Sequence, residues 1–133
     1  MRHLASIIVG TMLLTSSPVG AASRPSPEAK LAKALEGRVA GEPIDCVNLH
    51  NIRSSTIIDG TAILYKAGNT VYVNYPRSGR ESLNQWDALV TRTPSTRLCS
   101  IDVVQTVDLQ SRMMTGLVFL GEFVPYRKVK AAD

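Results

Sequence analysis

The chain has 133 residues, a formal net charge of +4 and two cysteines. That length holds one modest domain once an N-terminal leader is set aside. The charge excess is too mild and too scattered for a nucleic-acid binder, and permits only weak attraction to anionic surfaces.

The first segment, "MRHLASIIVGTMLLTSSPVGAAS", has the three parts of a secretory signal peptide. Arg2 and His3 form a short basic front. An uncharged apolar run covers residues 4–14. Breakers follow, and then the small residues Gly20, Ala21 and Ala22, so cleavage is expected after Ala21 or Ala22. The apolar run is shorter than the roughly 20 residues of a membrane span. The expected product is an exported, periplasmic chain of roughly 110 residues with no span after cleavage. This divides the sequence into a signal (1–22), a leader with a short helix (23–44), a β-rich domain (45–126) and a basic tail (127–133).

In the leader, Ser26 suits a helix N-cap and Pro27 the first helical position. Leu31, Ala34 and Leu35 share a face, and Gly37 is placed to end the helix. So short a helix is marginal alone and must dock through its leucines.

Cys46 and Cys99 follow. An exported chain with two cysteines most simply pairs them. The alternatives are free thiols, or a metal site seeded by Cys46-x-x-x-His50. That motif supplies two ligands, Cys99 would be a third, and no fourth is evident. No metal or cofactor is therefore assigned.

Strands are expected over residues 45–49, 52–58, 62–66 and 71–75. Asp59-Gly60 reads as a two-residue type I′ hairpin turn, with positive φ at both residues. It would set Ile58 opposite Thr61, Thr56 opposite Ile63 and Ser54 opposite Tyr65. Residues 67–70 would form a looser turn. Apolar residues on both faces of 62–65 mark that strand as central.

After Pro76 the sequence turns polar and irregular. Ser82 and Gln85 fit a capping box, so Leu83, Trp86 and Leu89 or Val90 are expected to share a face of a short helix, with Trp86 as a core anchor. "IDVVQTVD" alternates, with Ile101, Val103 and Val107 on one face. "GLVFLGEFVPY" reads as one last strand, with a bulge at Gly121 and Pro125 ending its pairing or marking an edge. The expected fold is mainly β: a small antiparallel roll or half-open barrel with one or two short peripheral helices.

"NIRSSTIIDGTAILY", "LVTRTPSTRLCSIDVV" and "LGEFVPY" together resemble a family of small exported proteobacterial proteins of unknown function, sphingomonad-like in particular. The likeness spans residues 31–126 and leaves out the leader and the tail "RKVKAAD". It implies a periplasmic location and no mechanism.

No motif with a mechanism is present: no nucleophile elbow, phosphate loop or zinc-protease helix. One reading is a small hydrolase built on an unmarked carboxylate pair drawn from Asp45, Asp59, Asp102, Asp108 and Glu122. The favoured reading is a non-catalytic binding or structural module. Arg77, Arg80, Arg92 and Arg97 fall within the irregular segment against only Glu81 and Asp87. Their guanidinium groups suit an anionic envelope component or an acidic face of another periplasmic protein.

Overall fold

The computed structural model describes residues 23–130, together with Gly10 and Gly20. Those two glycines apart, the signal peptide expected over residues 1–22 lies outside the described residues, as do residues 131–133 of the tail. One α-helix, α1 (Pro27–Ala34), precedes ten strands: β1 (Arg38–Ala40), β2 (Cys46–Asn48), β3 (Ser54–Ile58), β4 (Ala62–Ala67), β5 (Thr70–Asn74), β6 (Asp87–Thr91), β7 (Arg97–Cys99), β8 (Val103–Asp108), β9 (Met114–Phe119) and β10 (Phe123–Lys128). The strands form a five-stranded sheet in the order β1-β10-β5-β4-β3, a three-stranded sheet β6-β8-β9 and a two-stranded ribbon β2-β7, with every pairing antiparallel. The expected mainly-β roll with a short helix is what forms.

Two apolar clusters hold the layers. Ile57, Ile63, Tyr65 and Phe123 of the larger sheet meet Val104 and Val118 of the smaller sheet and Val47 and Leu98 of the ribbon. On the other face of the larger sheet, Ile58, Ala62, Leu64, Val71 and Val73 pack against Leu31 of α1 and Leu35, its C-cap. The helix starts as its sequence dictates: Ser26 Oγ accepts the Ala29 N–H at 3.1 Å, and Pro27 occupies the first turn. β4 is an interior strand, one in from the β3 edge, and is covered on both faces, because its alternating side chains feed both clusters. β1 pairs with β10 through Lys128, so the sheet takes in residues on both sides of the 45–126 span.

The two hairpin turns exchange their expected characters. Ile58 pairs with Ala62, so the first loop has three residues, Asp59, Gly60 and Thr61. Gly60 alone takes positive φ, at +60°, and the Thr61 N–H donates to the Ile58 carbonyl at 3.0 Å. That is the pattern of a type II turn, in which only the third residue needs the left-handed region. One extra loop residue shifts the register by one and moves every β3 side chain to the opposite face relative to β4. Thr56 thus faces Leu64, and Ile57 joins Ile63 in the inter-sheet core. The tight two-residue turn is Gly68-Asn69, between the paired Ala67 and Thr70, with Gly68 at φ +57°.

The segment after Pro76 is more ordered than its polarity suggests. A single 3-10 turn, Arg80–Ser82, replaces the expected helix. Backbone groups there are claimed by a distant element: the Leu83 carbonyl accepts the Gly60 N–H at 3.0 Å, and the Gln85 N–H donates to Asp59 Oδ1 at 2.6 Å. Leu83 is buried, but Trp86 is 73% exposed and anchors nothing. Residues 87–91 then pair with β8 as a strand. In β8 the buried positions are Val104 and Thr106, one residue out of phase with the expected face; Ile101 sits in the preceding turn and is 78% exposed.

"GLVFLGEFVPY" divides between two sheets, β9 in the smaller and β10 in the larger. Gly121 sits at the corner, and a Cβ there would collide with the Tyr75 carbonyl. Pro125 lies in β10, which is an interior strand, opposite Tyr72. Its carbonyl accepts the Gly41 N–H at 2.7 Å, just past the end of β1. Backbone groups of one residue point to one side of a strand, so the missing proline N–H falls on the β1 side, where the partner has ended.

The corner is fixed by Asn74, which is fully buried. Its Nδ2 donates to the Gly121 carbonyl at 2.7 Å, and its Oδ1 accepts the Gly121 N–H at 3.0 Å. Asn74→Leu should cost about 2–4 kcal/mol, since two buried backbone groups lose their partners at once. Urea denaturation checks this; a loss below about 1 kcal/mol would show that the corner holds without the amide.

Candidate functional site

Cys46 and Cys99 are directly opposite one another in the β2–β7 ribbon and form a disulfide, with Cα atoms 4.0 Å apart. Asp45 beside them is bound by Ser100, whose Oγ donates to its Oδ1 and whose N–H donates to its backbone carbonyl. Among the described residues, Asp45, Cys46 and Cys99 are the one trio of potential ligand atoms close enough to hold a metal. Both sulfurs are committed to the disulfide, so neither is a thiolate ligand. His50 is exposed in a 3-10 turn capped by Asn48.

The candidate aspartates each serve local structure. Asp59 Oδ1 accepts the Gln85 N–H, and its Oδ2 lies 3.9 Å from Lys30 Nζ. Asp102 Oδ2 accepts the Cys99 N–H at 2.7 Å. Asp108 caps the β8–β9 turn, accepting from the Gln110 and Ser111 N–H groups; the bond from the Ser111 backbone is the largest influence holding its carboxyl below the ordinary value. Glu122 is exposed beside the Gly121 corner.

The four arginines occupy different pieces of structure. Arg77 Nε donates to the Leu120 carbonyl at 2.7 Å and its Nη2 to the Ser100 carbonyl at 3.2 Å. Arg80 Nε donates to the Pro76 carbonyl at 2.8 Å. Both tie the 77–82 segment to its surroundings. Arg97 lies on β7 opposite Asn48, and Arg92 is exposed just after β6.

A denser group of cations comes from residues far apart in sequence. The turn between β4 and β5 marks one end of the larger sheet. Arg38 of β1 is opposite Lys128 of β10, Arg127 is opposite Thr70, and Lys66 is opposite Ser54, with the Arg53 N–H donating to the Lys66 carbonyl at 2.7 Å. Arg38 Nη1 reaches the Asn69 carbonyl at 2.7 Å. A recess of about 330 Å³ is lined by Asn69, Thr70, Arg127, Lys128 and Lys130, and one of about 300 Å³ by Asn51, Arg53, Ala67, Gly68 and Tyr72. Neither lining contains a carboxylate; the nearest acid in sequence is Glu36, in the turn before β1. The only ion pair among the described residues is Lys30–Asp59, so these six cations are unpaired there. The basic tail was visible in the sequence as Arg127, Lys128 and Lys130; that Arg38, Arg53 and Lys66 lie at the same end of the sheet follows only from the strand order.

A second surface is apolar. Cross-strand partners share a face, which places Val103 and Val107 of β8 with Met114, Leu117 and Phe119 of β9 on the outer side of the smaller sheet. Met114, Leu117 and Phe119 are at least 40% exposed.

Tyr65 is the one buried titratable side chain without a partner: its hydroxyl has no hydrogen bond among the described residues, and its ring packs 5.8 Å from that of Phe123. Burial pushes its pKa far above the ordinary tyrosine value. The folded state holds this proton after the unfolded chain releases it, so stability is full below about pH 10 and falls as pH rises further. Tyr65→Phe should match or exceed the parent by up to about 3 kcal/mol at neutral pH, and should flatten the alkaline decline. A loss above about 1 kcal/mol would mean that the hydroxyl is satisfied in solution. Arg77→Gln should cost about 1 kcal/mol and Arg92→Gln less than about 0.5, measured by the same denaturation. Equal effects would show that the Arg77 guanidinium does not pin the Leu120 and Ser100 carbonyls.

Comparison with protein-family models, curated proteins and solved structures gives no match to this chain.

Proposed function

We propose that this is an exported, periplasmic binding module, cleaved near Ala22, that attaches to an anionic component of the cell envelope without catalysing a reaction. The observation that carries the reading is the grouping of cations at one end of the five-stranded sheet: Arg53, Arg127, Lys128 and Lys130 around two recesses, and Arg38 and Lys66 around a third beside Leu64 and Val71, none with an acid in its lining. Clustered like charge creates a local potential that net charge understates. Guanidinium forks and ammonium groups there match phosphate or carboxylate oxygens. The non-catalytic part rests on the acids: Asp45, Asp59, Asp102 and Asp108 accept hydrogen bonds from neighbouring structure. Export is supported by the tripartite N-terminus and by the disulfide, a bond typical of oxidising compartments. Arg92 and Arg97 are the outward-facing remainder of the arginine-rich segment and form a second, sparser cationic surface.

The test is co-sedimentation of the mature chain with anionic and with zwitterionic phospholipid vesicles. Changing Arg53, Lys66, Arg127 and Lys128 to glutamine should weaken binding to the anionic vesicles by two to three orders of magnitude, at about 1 kcal/mol per cation near the surface. Added salt should weaken the parent in the same direction. Changing only Arg92 and Arg97 should have little effect. If that double variant loses binding and the quadruple variant keeps it, the arginine segment is the docking surface. If the parent binds both vesicle types equally, attachment is not electrostatic.

A further inference from the structure

The roll has one open seam. The larger sheet ends at β3, and the smaller sheet ends at β6. The two edges are joined at one point, where Gln85 and Leu83 bind the Asp59-Gly60 turn. Beyond that junction a half-open groove of about 610 Å³ separates residues 55–58 from residues 87–89. α1 borders it through Ala34 and Lys30, and Lys30 Nζ reaches Gln85 Oε1 at 2.9 Å.

An edge strand leaves half of its backbone N–H and C=O groups without a ladder partner, and proteins guard such edges with lysine, proline or a bulge. β3 reads SSTII and β6 reads DALVT, with neither lysine nor proline in either. The register shift in the smaller sheet lies between β8 and β9, away from the β6 edge. Residues 54–56 are exposed and every residue of β6 is half-buried. Two sheet edges therefore line one groove, with Asp87 the one charged residue on either strand. Five residues of extended chain, about 17 Å, match the length of either.

The charge of the groove points to the chemistry of its occupant. Asp87 is directly opposite Asp108 across the β6–β8 pair, and like charges so placed destabilise a sheet. Lys30, the nearby cation, is paired with Asp59. Asp87 is the one carboxylate in the groove lining and Lys30, held by Asp59 and Gln85, the one cation, and the backbone edges of the groove match another backbone.

We propose that this groove receives an extended segment of a partner protein, which adds as a strand to the free edge of β3 and sets a lysine or arginine beside Asp87. Backbone pairing holds the segment, as in other strand-addition complexes. Ile57 and Leu89, which line the two walls, favour apolar β-branched residues at alternate positions. This site is separate from the basic end of the sheet.

The experiment titrates the isotopically labelled mature chain with the capped peptide Lys-Thr-Val-Thr-Val-Thr and follows backbone amide resonances and hydrogen exchange. Saturable shifts are expected at Ser55, Thr56 and Ile57, with exchange slowed at those whose N–H groups point away from β4. The same peptide methylated at alternate backbone nitrogens, made in both registers, should fail to saturate in the register that blocks pairing. The Thr115 hydroxyl of β9 donates to Asp87 Oδ2 at 2.5 Å, and Asp87→Asn keeps an acceptor for it; this variant should weaken the lysine peptide about two- to fivefold and should not weaken a peptide with glutamate in place of lysine. The quadruple variant of the basic end should bind the peptide undiminished, so the two sites fail independently. No shift at millimolar peptide, shifts confined to the β1 edge, or equal binding in both methylated registers would overturn the proposal.

Discussion

The fold turns on one buried amide. Between Phe119 and Phe123 the chain must leave one sheet and enter another, and the backbone at such a corner has no ladder to satisfy it. Asn74 supplies both a donor and an acceptor to Gly121 and does so from β5, the strand that β10 joins next. Side chain and strand pairing thus enforce the same geometry. The Arg77 N–H adds a further link, donating to the Phe119 carbonyl at 2.8 Å, and the 77–82 segment lies along this side of β9. One flank of the roll is stitched by these bonds. The opposite flank, between β3 and β6, has only the Asp59–Gln85 junction, and that asymmetry is what leaves a seam.

Much of this was legible in the residues. Ser26, Pro27, Leu31 and Leu35 specify a capped helix with a docking face, and each plays that part. The apolar run over residues 62–65 identifies a central strand because both of its faces must be covered. The two cysteines meet as an exported chain would have them meet. What failed was decided at long range. The capping-box residues Ser82 and Gln85 carry a local preference for helix, but the Asp59-Gly60 turn claims the backbone at Leu83 and Gln85, and pairing with β8 claims the residues after Trp86. Asp59 illustrates the same point from the other side. Its tolerance for positive φ suggested a type I′ turn, yet its carboxylate is engaged by Gln85 and only Gly60 adopts that conformation.

The surfaces divide along the same line. Arginines three residues apart at 77 and 80 turn their guanidinium groups onto backbone carbonyls and act as braces. Cations scattered from residue 38 to residue 130 meet at a sheet end because β10 lies between β1 and β5. Counting charges along the chain finds the first group and the basic tail, but misses that Arg38, Arg53 and Lys66 share the tail's end of the sheet, since strand order is set by pairing between distant segments. The outer face of the smaller sheet is a parallel case: its alternation was visible, but which parity faces outward depended on where β8 begins.

Trp86 has an optical consequence. The protein's single indole sits 73% exposed between Gln85 and Asp87, two residues that line the groove at the seam. A solvated indole emits at long wavelength whether the chain is folded or unfolded, so intrinsic fluorescence is a poor reporter of denaturation in this molecule. Trp86 lies outside the lining, but both of its chain neighbours are in it. An occupant of the groove that extends over the indole would displace water from it, shift its emission to the blue and shield it from iodide quenching, with no label attached.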